Sequence, residues 1–327
     1  MSPRRRIGRK FVRSFTPIVL VIVLALLGFL AFAAYCVTHP PRRHYLVTPQ
    51  SFSNISGTVL KVTDETWSTL DGKSQRGWLL KGAPGSPAVV LLHSYGADRS
   101  WLFNLGVKIY ETTNFTILWL DLRGHGENPP IKWTSLGSRE GDDVVAALNF
   151  LRNQKADNQA KLVNDRFGVY GAELGGYAAI KAAGIDNQIK VLVVDSIPSS
   201  PDQLLDSKIT SCIGVDSNFL LSLSRAATKF YLLGAYENTN TCDLVRMLRD
   251  QQILVLAGAD SGNLKQTTMD LRSCFQNSAT VEMRADLPLT GLNLPSATGE
   301  QGEAYDRIVI EFFDRHLTEV SPGRPTQ

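Results

Sequence analysis

The most constraining feature of this sequence is a regular alternation of short, mainly apolar runs with longer helical segments. The runs are typical of strands buried on both faces of a sheet, and they read AVVLL, FTILWLD, RFGVYG, KVLVVD and ILVLAG. Because parallel strands need helical crossovers, the alternation predicts βαβ units with helices on both faces of a mostly parallel sheet. With two opening strands and a last strand at ATVEMRA, we expect an α/β fold of about eight strands.

The alternation breaks once, between Ile197 and Arg249. This stretch contains helical pieces, such as NFLLSLSRAATKFYLLG, but no clear strand. In an open parallel sheet, ligands bind in the crevice beyond the carboxyl ends of the strands. We therefore expect residues 197–249 to form a helical insert that lies as a lid above this crevice.

The segment at residues 15–37 is predicted to be a transmembrane anchor. From Ile18 to Val37 it has no charged residue, and this is about the 20 residues that a helix needs to cross a bilayer. The apolar core of a cleaved signal peptide is usually about 7–15 residues, so an uncleaved anchor is favoured. A cleavable signal is the alternative, because the small residues Ala31 and Ala33 match a cleavage site.

A basic segment at residues 1–14 gives the predicted orientation. The positive-inside rule places it in the cytoplasm, and the folded domain outside, as a single-pass protein of the cell membrane. This segment carries six basic residues, more than the formal net charge of +3, so the rest of the chain is slightly acidic and lacks the basic face that nucleic acid binding needs. A Pro-rich linker at 38–55, a folded domain at 56–318 and a tail at 319–327 are expected to follow.

Four cysteines occur in the sequence. Cys36 lies in the anchor, whereas Cys212, Cys242 and Cys274 lie in the domain without the paired short spacing of a zinc site. Outside the cytoplasm a Cys212–Cys242 disulfide is expected, since both residues lie in the insert; three unpaired thiols are the alternative. The sequence implies neither a metal nor a cofactor.

Three strands end in motifs that could carry chemistry, because function in such a sheet lies where the strands end. The motifs are HSYG from His93, RGHG from Arg123 and GAELG from Gly171. In the third, glycines on both sides of one residue allow a sharp turn between a strand and a helix. This turn would lift the central side chain, Glu173, above the sheet.

From about Gly57 to Leu317 the chain resembles the α/β-hydrolases, in particular membrane-anchored bacterial members with an RGHG turn after a central strand. In that family the central residue of G-x-S-x-G is the nucleophile, and here Glu173 occupies its position. The resemblance implies that Asp260 stands at the position of the family's acid. Leu292 stands at that of the histidine, in a loop that contains no histidine. The catalytic triad is therefore degenerate.

The resemblance also implies an oxyanion loop formed by Ser94, Tyr95 and Leu174, with Ser94 in place of the family's glycine. The HSYG motif itself is similar to a nucleophile turn, so Ser94 is a rival nucleophile. His93 is the candidate base because it lies near the turn in the family geometry. Its alternative role is to order its own loop.

Two functional hypotheses follow from these residues. The first is a hydrolase relative without catalysis, a pseudoenzyme that binds a small-molecule or protein ligand at the outer membrane face. In it, the Glu173 carboxylate fills the oxyanion site at a helix N-terminus. The second is an atypical hydrolase of ester or amide bonds that attacks with Glu173 or Ser94, assisted by Asp260 and His93. A purely structural membrane-associated protein is a third, weaker alternative.

Overall fold

The computed structural model describes residues 3–57, 59–214, 217–296 and 299–318 and, except at Ser296, side chains from residue 15 onward. The predicted tail at 319–327 and the basic side chains of residues 1–14 lie outside this part. The chain forms two compact units. The first contains Met1–Thr38 and Leu205–Gly234, and the second contains His39–Leu204 and Ala235–Gln327.

The second unit is built on an eight-stranded sheet. Its strands are β1 (Val62–Ser68), β2 (Ser74–Leu80), β3 (Ser86–Leu92), β4 (Thr116–Leu120), β5 (Val163–Ala172), β6 (Ile189–Asp195), β7 (Gln252–Gly258) and β8 (Val281–Leu287). Their order is β1-β2-β4-β3-β5-β6-β7-β8. The pairs β1–β2 and β2–β4 are antiparallel and the others are parallel. The predicted fold class is therefore confirmed.

Helices cover both faces of the sheet. Those of the second unit are α2 (Pro49–Ser56), α3 (Phe103–Thr113), α4 (Glu140–Arg152), α5 (Leu174–Ile185), α8 (Thr241–Val245), α9 (Asn263–Asp270) and α10 (Gly299–Leu317). On one face α3 and α10 pack on each other and on the strands, and on the other α4 packs on α5. Residues 87–92 of β3 are all buried, as expected for a strand between two helical layers.

The predicted linker at residues 38–55 is more ordered than its composition indicates. Thr48 and Ser51 form a reciprocal capping box that starts α2. The Phe52 ring lies 5.4 Å from the ring of Phe103 in the core, and the Tyr45 hydroxyl donates to Asp121 Oδ2 at 2.7 Å. These contacts hold the segment against the sheet of the second unit.

The first unit consists of α1 (Pro3–Thr38), the end of α6 (Pro201–Ile213), and α7 (Asn218–Tyr231). Within α1, Phe15–Thr38 is long and apolar enough to cross a membrane, with a mean hydropathy of 2.9. By length and composition, this helix is compatible with a membrane span or with a signal sequence. Helix α7, which lies in the predicted insert, packs against α1.

The expected Cys212–Cys242 disulfide is wrong. The structure pairs Cys36 with Cys212 in the first unit, and Cys242 with Cys274 in the second. The reason is packing that the sequence does not display: α8, which carries Cys242, lies against the 3-10 turn that ends at Cys274. Cys212 is left beside the end of α1.

Peptide mapping of the unreduced protein is expected to recover Cys36 linked to Cys212 and Cys242 linked to Cys274. This holds when the domain is exported to an oxidising compartment, where disulfides persist. In Cys36→Ser, alkylation should then label Cys212 alone, while the second pair stays intact as an internal control. A peptide that joins Cys212 to Cys242 would contradict the structure.

Candidate active site

The turn between β5 and α5 has the predicted sharp geometry. Glu173 sits at its apex with φ 48° and ψ −107°, a strained backbone conformation for a residue other than glycine. A Cβ on Gly171 would lie 2.3 Å from the carbonyl oxygen of Gly175, and one on Gly175 would lie 2.5 Å from that of Leu92. Glycine at Gly171 lets β5 approach the start of α5, and glycine at Gly175 lets α5 approach the end of β3. Only glycine at both positions allows the close approach that this turn needs.

The Glu173 carboxylate turns toward the loop that follows β3. Its Oε2 accepts the backbone N–H of Tyr95 at 2.9 Å, and the residue is only 5% exposed. Burial and the adjacent Glu173 charge raise the pKa of the Tyr95 phenol. The structure thus places Glu173 against the predicted oxyanion loop, and its carboxylate accepts a hydrogen bond from a backbone amide of that loop. Leu174 is buried at the start of α5.

Both ring nitrogens of the buried His93 are bonded to backbone groups. Nε2 accepts the Leu122 N–H at 3.1 Å, so Nδ1 carries the proton and donates to the Ser94 carbonyl at 2.8 Å. Burial lowers the pKa of His93 to about 4, which keeps the ring neutral. The geometry therefore gives His93 the loop-ordering role, and this ring makes no hydrogen bond to Glu173.

His93→Gln is expected to reduce the acid sensitivity of folding. Because the folded-state pKa of His93 is lowered to about 4, stability is complete above the unfolded pKa of about 6.5 and is lost as the pH falls. Between about pH 8 and pH 5 the wild type should lose roughly 2 kcal/mol more than the variant. Urea unfolding at both pH values measures this difference. Equal losses would show that His93 does not titrate with folding.

His125 lies beside His93, at a ring-centroid distance of 5.1 Å, and beside Tyr95 at 5.4 Å. Its Nδ1 bonds the carbonyl of Arg123 at 2.9 Å, and burial lowers its pKa to about 3. Its buried Nε2 has no hydrogen-bond partner among the described residues. Neither buried imidazole is thus hydrogen-bonded to Glu173. The remaining histidines are His39 and His44, before the sheet, and His316 in α10.

Asp260 follows β7 and holds the loop in which the family's histidine would lie. Its Oδ2 accepts the Thr290 N–H at 3.1 Å, the Thr290 hydroxyl at 3.2 Å and the Asn293 side-chain amide at 2.6 Å. Leu292, between these two residues, packs half-buried against the hydrophobic core. Asp260 and Leu292 are therefore neighbours in space, but the Asp260 carboxylate is bonded to the loop after β8, which contains Leu292, rather than to an imidazole.

Asp195, at the end of β6, is a fully buried carboxylate of the site that the predictions from sequence did not include. Its Oδ2 accepts the Gly291 N–H at 2.6 Å and the Tyr305 hydroxyl at 2.5 Å, and its Oδ1 accepts the Ser196 hydroxyl at 2.8 Å. Burial raises its pKa to about 6. The signal was an aspartate closing the apolar run KVLVVD, next to the strand that leads to Glu173.

Ser94 lies in the loop after β3, and neither His93 nor His125 is bonded to its hydroxyl. Its carbonyl accepts from His93 and, at 3.2 Å, from the Ala97 N–H, and the residue is 7% exposed. A serine hydroxyl needs an adjacent base to become a nucleophile, so the described geometry provides no activation of Ser94. Within the part of the chain that the structure describes, no cluster of three or more potential ligands could hold a metal.

The sheet order and the turn at Glu173 define the α/β-hydrolase fold, and solved structures share it. An esterase of Pyrococcus furiosus superposes with a TM-score of 0.63 at 19% identity, covering 86% of this chain and 99% of that one. The α/β hydrolase GrgF of Penicillium sp. sh18 gives 0.56 at 15% identity, covering 79% and 99%. An esterase of Thermogutta terrifontis gives 0.54 at 17% identity, covering 78% and 100%.

Sequence comparison gives weaker relationships, and no family model matches the chain. An uncharacterized 31.7 kDa protein in the traX-finO intergenic region of Escherichia coli is 24% identical over 170 residues, 52% of this chain and 56% of that protein. A thiohydrolase of Aspergillus aculeatus is 25% identical over 126 residues, 38% of each. The matches thus span about half of these relatives or less.

Proposed function

We propose that this chain is a membrane-anchored protein of the α/β-hydrolase fold that lacks serine-hydrolase chemistry and acts by binding a ligand at the outer face of the membrane. The observation that carries the proposal is the 2.9 Å hydrogen bond from the Tyr95 N–H to the Glu173 carboxylate. In the family, the amides of this loop stabilise the charge that develops on the substrate. Here the Glu173 carboxylate, rather than a substrate, accepts the hydrogen bond of such an amide.

The surroundings of Glu173 support the same proposal. Deprotonation of a hydroxyl nucleophile, and hydrolysis of an ester intermediate, both need a positioned base. Both ring nitrogens of His93 are bonded to backbone groups. Leu292 occupies the histidine position, and the carboxylates of Asp260 and Asp195 accept backbone amides of the loop that contains Leu292. The scaffold of the site is thus retained, while the groups that move protons are missing or engaged.

Anchoring and orientation belong to the proposal as well. The apolar Phe15–Thr38 segment of α1 follows a basic stretch, which favours a cytoplasmic N-terminus. The disulfide from Cys36 to Cys212 supports an outer location for the far end of α1, because disulfides persist in oxidising compartments. The ligand is expected to be a small molecule or a protein met at that face.

The alternative is an atypical hydrolase that uses Glu173 or Ser94. Relatives named esterase and thiohydrolase favour testing it with both a p-nitrophenyl ester and an acyl thioester. We expect the wild type to hydrolyse neither faster than Glu173→Gln or Ser94→Ala. We also expect a fluorophosphonate probe to leave its intact mass unchanged, since no base activates a serine.

The opposite outcomes identify the enzyme and its nucleophile. A fluorophosphonate adduct that disappears in Ser94→Ala would assign Ser94. If Glu173 attacks the acyl carbon, it forms a mixed anhydride and releases p-nitrophenolate or the thiolate. Attack of H₂¹⁸O on the Glu173 carbonyl of that anhydride then leaves ¹⁸O in the Glu173 carboxylate, which mass spectrometry of the Glu173 peptide detects. Glu173→Gln is a matched control, because it keeps the shape of the side chain and an oxygen that can accept from Tyr95.

A further inference from the structure

Helix α7 and the turn after it carry an exposed apolar stripe. Phe219, Phe230 and Leu233 are 69%, 77% and 80% exposed. Together with Ser222 and Ala226 they follow one another in steps of three or four residues, which places them on one side of a helix. The stripe contains no charged residue.

The opposite face of α7 is packed. Its buried residues are Ser224, Thr228 and, just beyond the helix, Leu232. The Thr228 hydroxyl donates to the carbonyl of Ser224 at 2.8 Å, so the helix satisfies this polar group itself. A helix in water hides its apolar side and exposes its polar side. Phe219, Phe230 and Leu233 instead lie exposed on α7 and the turn after it, and an exposed apolar stripe of this kind suits apolar surroundings.

The neighbour of α7 supplies such surroundings. Helix α7 packs against α1, the apolar helix that we propose spans the membrane. On α1, Ala33, Ala34 and Val37 are buried, and the partly covered face extends back to Leu26. From Leu26 to Thr38 the rise along α1 is about 18 Å. The covered part of α1 therefore lies within its apolar segment rather than beyond it.

A covalent link keeps these elements together. The Cys36–Cys212 disulfide joins the last turns of α1 to the end of α6, shortly before α7 begins. The insert segment is thus tied to the same end of α1 against which α7 packs. An apolar face fixed beside a membrane helix in this way would meet lipid.

We propose that α7 and the turn after it insert their apolar stripe into the outer leaflet of the bilayer that α1 crosses. The partner is phospholipid, because the stripe is uncharged and belongs to a helix that packs on α1, whose residues Ile18–Leu24 are themselves each more than 45% exposed. The insert would then act as a second membrane contact. This inference rests on the proposed membrane anchor.

Photo-crosslinking of the full chain in phospholipid nanodiscs tests the inference. Benzoylphenylalanine replaces Phe219 or Phe230 in turn, and ultraviolet light joins it to whatever surrounds the helix. After digestion, we expect each modified peptide to gain the mass of one phospholipid. Val21 on α1, 65% exposed, is the positive control. The negative control is Ile185, which is 53% exposed. It is the last residue of α5 and lies before the start of β6, whereas the insert follows the carboxyl end of β6.

The outcomes separate this inference from the membrane anchor. Lipid adducts at Val21, Phe219 and Phe230, but not at Ile185, support the inference. Adducts at Val21 without any at Phe219 or Phe230 overturn it and leave the anchor in place. A crosslink from Phe230 to a second copy of the chain overturns it in favour of self-association. The absence of lipid at Val21 overturns the anchor, and this inference with it.

Discussion

Gly171→Ala is expected to destabilise the fold by about 3 kcal/mol or more, near the upper end for a single substitution. The added Cβ would lie 2.3 Å from the carbonyl oxygen of Gly175 and 2.6 Å from the nitrogen of Gly176. All its closest neighbours are backbone atoms, so no side chain can move aside. Helix α5 would have to shift away from β5, which disrupts the turn at Glu173.

Thermal unfolding of the full chain in detergent, followed by circular dichroism, measures the effect. A loss of this size should lower Tm by on the order of 10 °C. Gly184→Ala, in the helix α5 that Gly171 meets, is the control, because the nearest atom to its added Cβ would be in the flexible Met247 side chain at 3.6 Å. Alanine there should be neutral or should add up to about 1 kcal/mol through helix propensity. Equal Tm values for the two variants would contradict the close approach of α5.

Arg123→Ala is expected to cost about 3–5 kcal/mol, because it leaves a buried carboxylate without its partner. The Arg123 guanidinium makes two hydrogen bonds to Asp143, one of them at 2.6 Å from Nε to Oδ2, and a third to Asp71 at 3.3 Å. Arg123 is 3% exposed and Asp143 is fully buried. The arginine of the RGHG motif thus joins the turn after β4 to α4 and to the β1–β2 turn.

The Arg123→Ala loss should grow as the pH rises. Burial raises the pKa of Asp143 to about 7 even beside Arg123, and removing the cation raises it further. A carboxyl with a raised pKa binds its proton more readily in the folded state, so stability falls as pH increases. Urea unfolding at about pH 5 and pH 8 measures this slope.

Arg139→Ala provides the comparison for a surface arginine. Arg139 is 35% exposed in its side chain and lies 3.7 Å from the same Asp71, so its removal should cost less than about 1 kcal/mol. If Arg123→Ala is no worse than Arg139→Ala, the buried pair does not hold the RGHG turn. The motif would then need another explanation.

Most of the strand positions could be predicted from the sequence, since each buried strand is a short local run. AVVLL and ILVLAG became β3 and β7 with small changes at their ends. The turn at Glu173 was equally local, because the glycines that permit it lie within two residues. Helix α2 was missed because a Pro-rich composition concealed the capping box of Thr48 and Ser51.

The candidate site was predicted less completely than the fold. The sequence placed Glu173 at the turn, and the resemblance gave Asp260 the position of the acid and Leu292 that of the histidine. The sequence could not indicate that Glu173 accepts a hydrogen bond from the Tyr95 amide, because these residues lie 78 positions apart. The bond between Asp195 and Gly291, 96 positions apart, was hidden for the same reason.

By itself, the sequence determined the α/β architecture, the apolar N-terminal helix and the absence of a histidine between His125 and His316. These follow from local patterns and residue identity, which need no knowledge of distant contacts. Only the tertiary structure decided which cysteines pair, that His93 is bonded at both nitrogens, and that α7 packs on α1. Each of these depends on bringing distant segments within a few ångströms, which packing of the whole chain controls.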